Sequence, residues 1–195
     1  MTKKYDELPT IELSDHNTYT HPEAMPELVH LDDSALSILT DFEKIKPAIA
    51  HPDDNIDDTL TKMKSSGRLV MLVVENHTVV GAVSSGDLQG EKPLKLVQEN
   101  RVNRKEILVK QVMTPDDSLL AINYQDLRFA KIGNLLRTLR KHMKRYALIV
   151  DIDETTKAQR IHGLINVYDI IKRLDRTLTS AIREAQSILE LQSRL

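Results

Sequence analysis

Two short patterns concentrate hydrogen-bonding chemistry in this chain of 195 residues: Ser84-x-x-Asp87 and Asn166-x-x-Asp169. In each, a side chain that can donate and accept stands three residues before a carboxylate, which only accepts. At the start of a helix this spacing gathers both groups on the first turn. It is also the spacing of an N-cap followed by an acidic first turn, a role that needs no ligand.

Other chemistry finds little support. There is no Cys, so disulfides and thiolate metal sites are excluded. No P-loop, His-Glu-x-x-His or nucleophile elbow occurs, and the seven His (16, 21, 30, 51, 77, 142, 162) lack tight metal-ligand spacing. Asp53-Asp54 and Asp57-Asp58 follow Pro52 and read as a helix N-terminus. The expectation is a protein that is not an enzyme, with no catalytic residues, no metal site and no required cofactor. Arg137, Arg140, Lys141, Lys144 and Arg145 read as the solvated face of a helix whose other face carries Leu135, Leu136 and Leu139. Five Tyr and two Phe, scattered, offer no stacking platform, so nucleic acid is not an expected partner.

The elements that must carry the two patterns form an internal repeat. RLVMLVVENHTVVGAVSSGDL (68 to 88) reads as a buried strand, a turn at Glu75-Asn76-His77, a second strand and a helix start. RYALIVDIDETTKAQRIHGLINVYDI (145 to 170) reads the same way with a longer turn. Gly81, Ser84 and Asp87 correspond to Gly163, Asn166 and Asp169 at an offset of 82, and Leu72-Val73-Val74 to Leu148-Ile149-Val150 at 76. Upstream, His51-Pro52-Asp53-Asp54 aligns with Thr114-Pro115-Asp116-Asp117 at 63.

An amphipathic helix precedes each hairpin, with Ile56, Leu60 and Met63 in the first copy, closed by Gly67, and Ile132, Leu135, Leu136, Leu139 and Met143 in the second. Residues 1–30 carry Pro9, Pro22 and Pro26 without periodicity and read as an extended arm. Asp32, Asp33 and Ser34 offer caps for a short helix with Ala35, Ile38, Leu39 and Phe42. Leu174, Leu178, Ile182, Ala185, Ile188, Leu189 and Leu195 form a stripe at helical spacing.

Composition sets the outer bounds. The apolar fraction of 41% suffices for a core filled by aliphatic residues and Met, since Trp is absent. Residues 1–60 hold 14 Asp and Glu against 4 Lys and Arg, whereas residues 61–195 hold 15 against 23. An acidic arm across a basic surface and a basic patch for anionic ligands are both consistent with that split. The N-terminus has no apolar leader, and no apolar run approaches the roughly 20 residues that span a bilayer. A cytoplasmic protein without membrane partners is expected.

Val80-Gly81-Ala82-Val83-Ser84-x-x-Asp87-Leu88, its counterpart Ile161-His162-Gly163-Leu164-Ile165-Asn166-x-x-Asp169-Ile170, and Val112-Met113-Thr114-Pro115 together resemble the tandem CBS-domain (Bateman module) pattern over about residues 45–174. The resemblance implies an α/β (α+β) fold of two β-α-β-β-α repeats forming one pseudo-symmetric module. Its parts would be an N-terminal arm and short helix at 1–44, repeat 1 at 45–90, a connector at 91–107, repeat 2 at 108–174 and an amphipathic C-terminal helix at 175–195.

The resemblance further implies a regulatory module that senses an adenine nucleotide (AMP, ADP or ATP) or S-adenosylmethionine in clefts between the repeats. The alternative is a ligand-free dimerisation or protein-interaction scaffold of the same fold. Ser84 and Asp87 would hold the ribose in one cleft, and Asn166 and Asp169 in the other, where Asn replaces the hydroxyl and Tyr168 stacks or fills. Opening-strand residues Ile49 and Ala50 (with Ala48), and Met113 and Thr114 (with Val112), would contact adenine. Arg68 and Arg145 (with Lys144) would meet phosphate. A homodimer is expected, with an unidentified protein partner as a further possibility.

Overall fold

The computed structural model describes residues 28–174. The expected C-terminal helix and residues 1–27 of the expected arm lie outside them. The described chain enters through a 3-10 turn (Ala35–Ile38) into β1 (Thr40–Asp41) and β2 (Ile49–Ala50), then α1 (Ile56–Ser66) and the hairpin β3 (Val70–Glu75) and β4 (Thr78–Ser84). Helices α2 (Ser85–Gln89), α3 (Glu91–Asn100) and α4 (Val109–Val112) lead to β5 (Thr114–Pro115) and β6 (Ala121–Asn123). Then come α5 (Tyr124–Leu127), α6 (Ile132–Lys141), the hairpin β7 (Tyr146–Ile152) and β8 (Gln159–Asn166), and α7 (Val167–Arg173).

The hairpins form as their patterns require. Asn76 and His77, both at positive φ (48° and 63°), make the two-residue turn, a conformation whose twist matches the flanking strands. Both hairpins carry an irregularity at the same place, between Val73 and Val74 in one and between Ile149 and Val150 in the other. The extra residue opposite is Val80 in the first copy and His162 in the second. A shared bulge is structural evidence for the repeat, because a bulge re-aims side chains and persists as a built feature.

Two four-stranded sheets result, ordered β2-β3-β4-β5 and β1-β8-β7-β6. Each repeat lends one short strand to the other's sheet: β1 pairs antiparallel with β8 (Thr40 with Leu164), and β5 with β4 (Thr114 with Ala82). The strands parallel to the hairpins are β2 (Ile49 with Leu72) and β6 (Ala121 with Leu148). The upstream alignment at offset 63 is therefore corrected: Thr114 matches Thr40, and Ile49 matches Ala121. The cause is that two-residue strands leave no period in the sequence.

Other expectations change as well. The helix expected through Leu39 and Phe42 is a single turn capped by Ser34, because Leu39 turns extended to feed β1. Val112 closes a helical turn, so the strand opening the second copy holds only Thr114 and Pro115. Met143 is 49% exposed at φ 51°, past the end of α6, so it leaves the apolar stripe.

Lys144 and Arg145 lie past the end of α6 and are half-buried, so they leave its solvated face, and Asp53 and Asp54 precede the α1 cap rather than join the helix; the other readings of these two helices hold. Gly67 sits left-handed at φ 65° as the α1 cap, and Asn55 caps the other end with Asp57 and Asp58 in the first turn. Ile132, Leu135, Leu136 and Leu139 are buried, each contributing about 1.5–3 kcal/mol of transfer free energy, while Arg137, Arg140 and Lys141 are exposed.

Strand alternation divides the core. Met71 and Val73 pack toward α1, and Ala147 and Ile149 toward α6. Val70, Leu72 and Ala82 meet Leu148, Val150 and Leu164 in a third cluster that joins the two sheets. The candidate clefts open at the edges of this shared layer.

Candidate ligand cleft between the repeats

Each cleft mixes the repeats. One is lined by Thr40, Phe42, Lys46, Pro47, Ala48, Gly67, Arg68, Leu69, Val70 and Leu72 together with Leu164, Asn166 and Asp169. The β1–β8 pairing brings Thr40 to Leu164 and thereby sets the N-terminal segment against the start of α7. Asn166 is the N-cap of α7 and accepts the Tyr168 N–H at 3.0 Å. Asp169, half-buried in the first turn, makes no hydrogen bond or ion pair with any described residue. Lys46 and Arg68 put two cations on the rim, and Phe42, Ala48, Leu72 and Leu164 supply apolar wall.

The pseudo-symmetric position around Ser84 and Asp87 is built differently. Ser84 and Asp87 form a closed capping box. Ser84 Oγ donates to Asp87 Oδ2 at 2.6 Å, the Ser84 N–H donates to the same oxygen at 3.0 Å, and the Asp87 N–H donates to Ser84 Oγ at 3.2 Å. Asp87 Oδ1 accepts Lys92 Nζ at 2.8 Å, and that ammonium also donates to the Val112 carbonyl at 2.8 Å. Both carboxylate oxygens are thus engaged by the chain itself.

Space there is taken too. Tyr146 stands opposite Asn166 in the second hairpin as Val70 stands opposite Ser84 in the first. Its phenol lies buried near Thr114 and Asp87, and burial pushes its pKa up to about 12. Arg145 crosses over Gly86, so closely that a Cβ there would lie 3.0 Å from the guanidinium. A valine lines the open cleft, where a tyrosine lines the narrower space beside Ser84.

The structure brings Arg68, Asn166 and Asp169 together, and separately Arg145 with Ser84 and, through Tyr146, Thr114 with Asp87. Ile49 is 51% exposed and Ala50 is core, and it is their neighbour Ala48 that lines the open cleft. Met113 packs its Sδ against Gly81, where a Cβ would lie 3.1 Å away. Tyr168 lines the narrow space beside Arg145, apart from the open cleft's wall. Sequence reasoning passed over Thr40, Phe42 and Lys46. The Thr shared by Leu39-Thr40-Asp41 and Met113-Thr114-Pro115 was the available signal, too short to stand out.

Among the described residues, no helix is long and apolar enough to cross a membrane. No curated protein matches the sequence. The fold is similar to an uncharacterized conserved protein from Pyrococcus horikoshii, at 18% identity and TM-score 0.50, covering 74% of this chain and 93% of that one. It is also similar to a conserved CBS domain protein of unknown function from Thermoplasma acidophilum, at 14% identity and TM-score 0.53, covering 78% and 77%. Residues 39–91 match the family model described as CBS domain.

Proposed function

We propose that this chain, whose residues 39–91 match the CBS domain family model, is a regulatory module that senses an adenine nucleotide or related adenosyl ligand in the cleft at Asp169. The observation carrying this reading is the unpaired Asp169 carboxylate on a cleft with a cationic rim and an apolar wall. A carboxylate accepts both hydroxyl protons of a ribose, while Arg68 and Lys46 match a phosphate or another anionic group. Ala48, Leu72 and Leu164 give the base an apolar bed. The Ser84–Asp87 corner serves as a local cap with filled space, so binding is one-sided.

Calorimetric titration with AMP, ADP, ATP and S-adenosylmethionine tests the reading, with one site per chain expected for whichever ligand binds. If none binds at millimolar concentration, the scaffold reading replaces it. That second reading rests on the apolar stripe from Leu174 to Leu195, which also motivates a homodimer. Truncation after Leu174 then lowers the mass seen by light scattering.

A further inference from the structure

We propose a binding site for a zinc-class divalent cation at the junction of β1 and β8, formed by His162 Nε2 with the carboxylates of Asp41 and Glu43. The three ligand atoms lie within 4.8 Å of one another. His162 is 6% exposed, and its Nε2 is buried without a hydrogen-bond partner among the described residues. Such an atom inside a protein is costly unless something outside the chain satisfies it.

The surroundings prepare that nitrogen for a metal. Nδ1 stands 2.8 Å from Asp151 Oδ2, and a carboxylate accepts, which assigns the proton to Nδ1 and leaves a lone pair on Nε2 in the neutral ring. This carboxylate–histidine arrangement is the one that orients metal-ligating imidazoles. Tyr124 stacks on the ring at 4.1 Å and fixes its plane. Nε2 faces Asp41 Oδ1 at 3.5 Å. Both atoms are metal donors, and two ligands each about 2.1 Å from one tetrahedral ion stand about 3.4 Å apart. Imidazole with two carboxylates favours zinc over magnesium, which prefers oxygen alone.

Access comes through Glu43, whose side chain is 65% exposed. Lys44 on Asp41 Oδ2 (3.0 Å) and Arg160 near Glu43 (3.6 Å) are 79% and 76% exposed and can swing into water when the cation enters. The site lies on the opposite face of β1 from the ligand cleft, since Thr40 and Phe42 line the cleft and Asp41 faces His162. An ion there clamps β1 onto the second sheet.

The full chain, stripped with chelator, is titrated with ZnCl2 in competition with a chromophoric zinc indicator, with MgCl2 in a parallel arm. One zinc per chain is expected, without competition from magnesium. Asp41→Asn and Glu43→Gln, both near the surface, each weaken binding about tenfold or more with an unchanged circular dichroism spectrum. Asp151→Ala weakens it about 10–100-fold by releasing the ring. Failure of the folded wild type to take up one zinc overturns the proposal. So does binding that persists unchanged in Asp41→Asn and Glu43→Gln but vanishes when His16 and His21 of the N-terminal segment are both replaced by Ala.

Discussion

Val70 and Tyr146 occupy the same position in the two hairpins, one opposite Ser84 and the other opposite Asn166. This exchange adds to the capping box and the Lys92 contact at Asp87 in setting the two clefts apart. The small side chain leaves room beside Asn166 and Asp169, and the large one fills the space beside Ser84 and Asp87.

Tyr146 ties that filled corner to alkaline stability. A phenol held near 12 in the folded chain, against about 10 unfolded, stabilises the fold fully below pH 10 and loses the contribution as pH rises toward 12. Urea unfolding of wild type across this range is expected to show a decline that Tyr146→Phe makes shallower, because the variant has no phenol to ionise.

Ser84 is read as a cap, so its removal is a stability effect first. Ser84→Ala is expected to cost about 1 kcal/mol in urea unfolding, since it leaves the Asp87 N–H without its acceptor. Ligand affinity at the Asp169 cleft stays at the wild-type level.

Gly81 and Gly163 mark where the exchanged strands pass. A Cβ at Gly81 would stand 2.6 Å from the Thr114 carbonyl oxygen, and one at Gly163 would stand 2.6 Å from the Thr40 carbonyl oxygen. Neither backbone can yield without breaking its strand pair. Gly81→Ala and Gly163→Ala are each expected to lose about 1–3 kcal/mol by overpacking. Thermal unfolding of the two variants measures it, and equal losses reflect the equivalence of β1 and β5.

The parts legible in the sequence are those with a period. The hairpins, α1 with its Gly67 cap, and α6 with its buried stripe all follow from apolar spacing. What the sequence hid are pairings without a period. Thr40 sits in a stretch that reads as a short helix, yet its two-residue strand completes the second sheet. Asp41 and His162 are far apart along the chain, so no motif joins them before β1 meets β8. Ser84-x-x-Asp87 keeps the hydroxyl that Asn166 replaces in the other copy, yet its groups close on each other beside Tyr146, an engagement that pattern alone does not reveal.

The most direct test of the sensing account compares Asp169→Asn with Asp87→Asn in calorimetric titrations with AMP, ADP, ATP and S-adenosylmethionine. The account predicts that Asp87→Asn binds within about twofold of wild type, whereas Asp169→Asn loses about tenfold or more, as expected when a charged acceptor is removed. Loss of affinity in Asp87→Asn with full affinity in Asp169→Asn would contradict it.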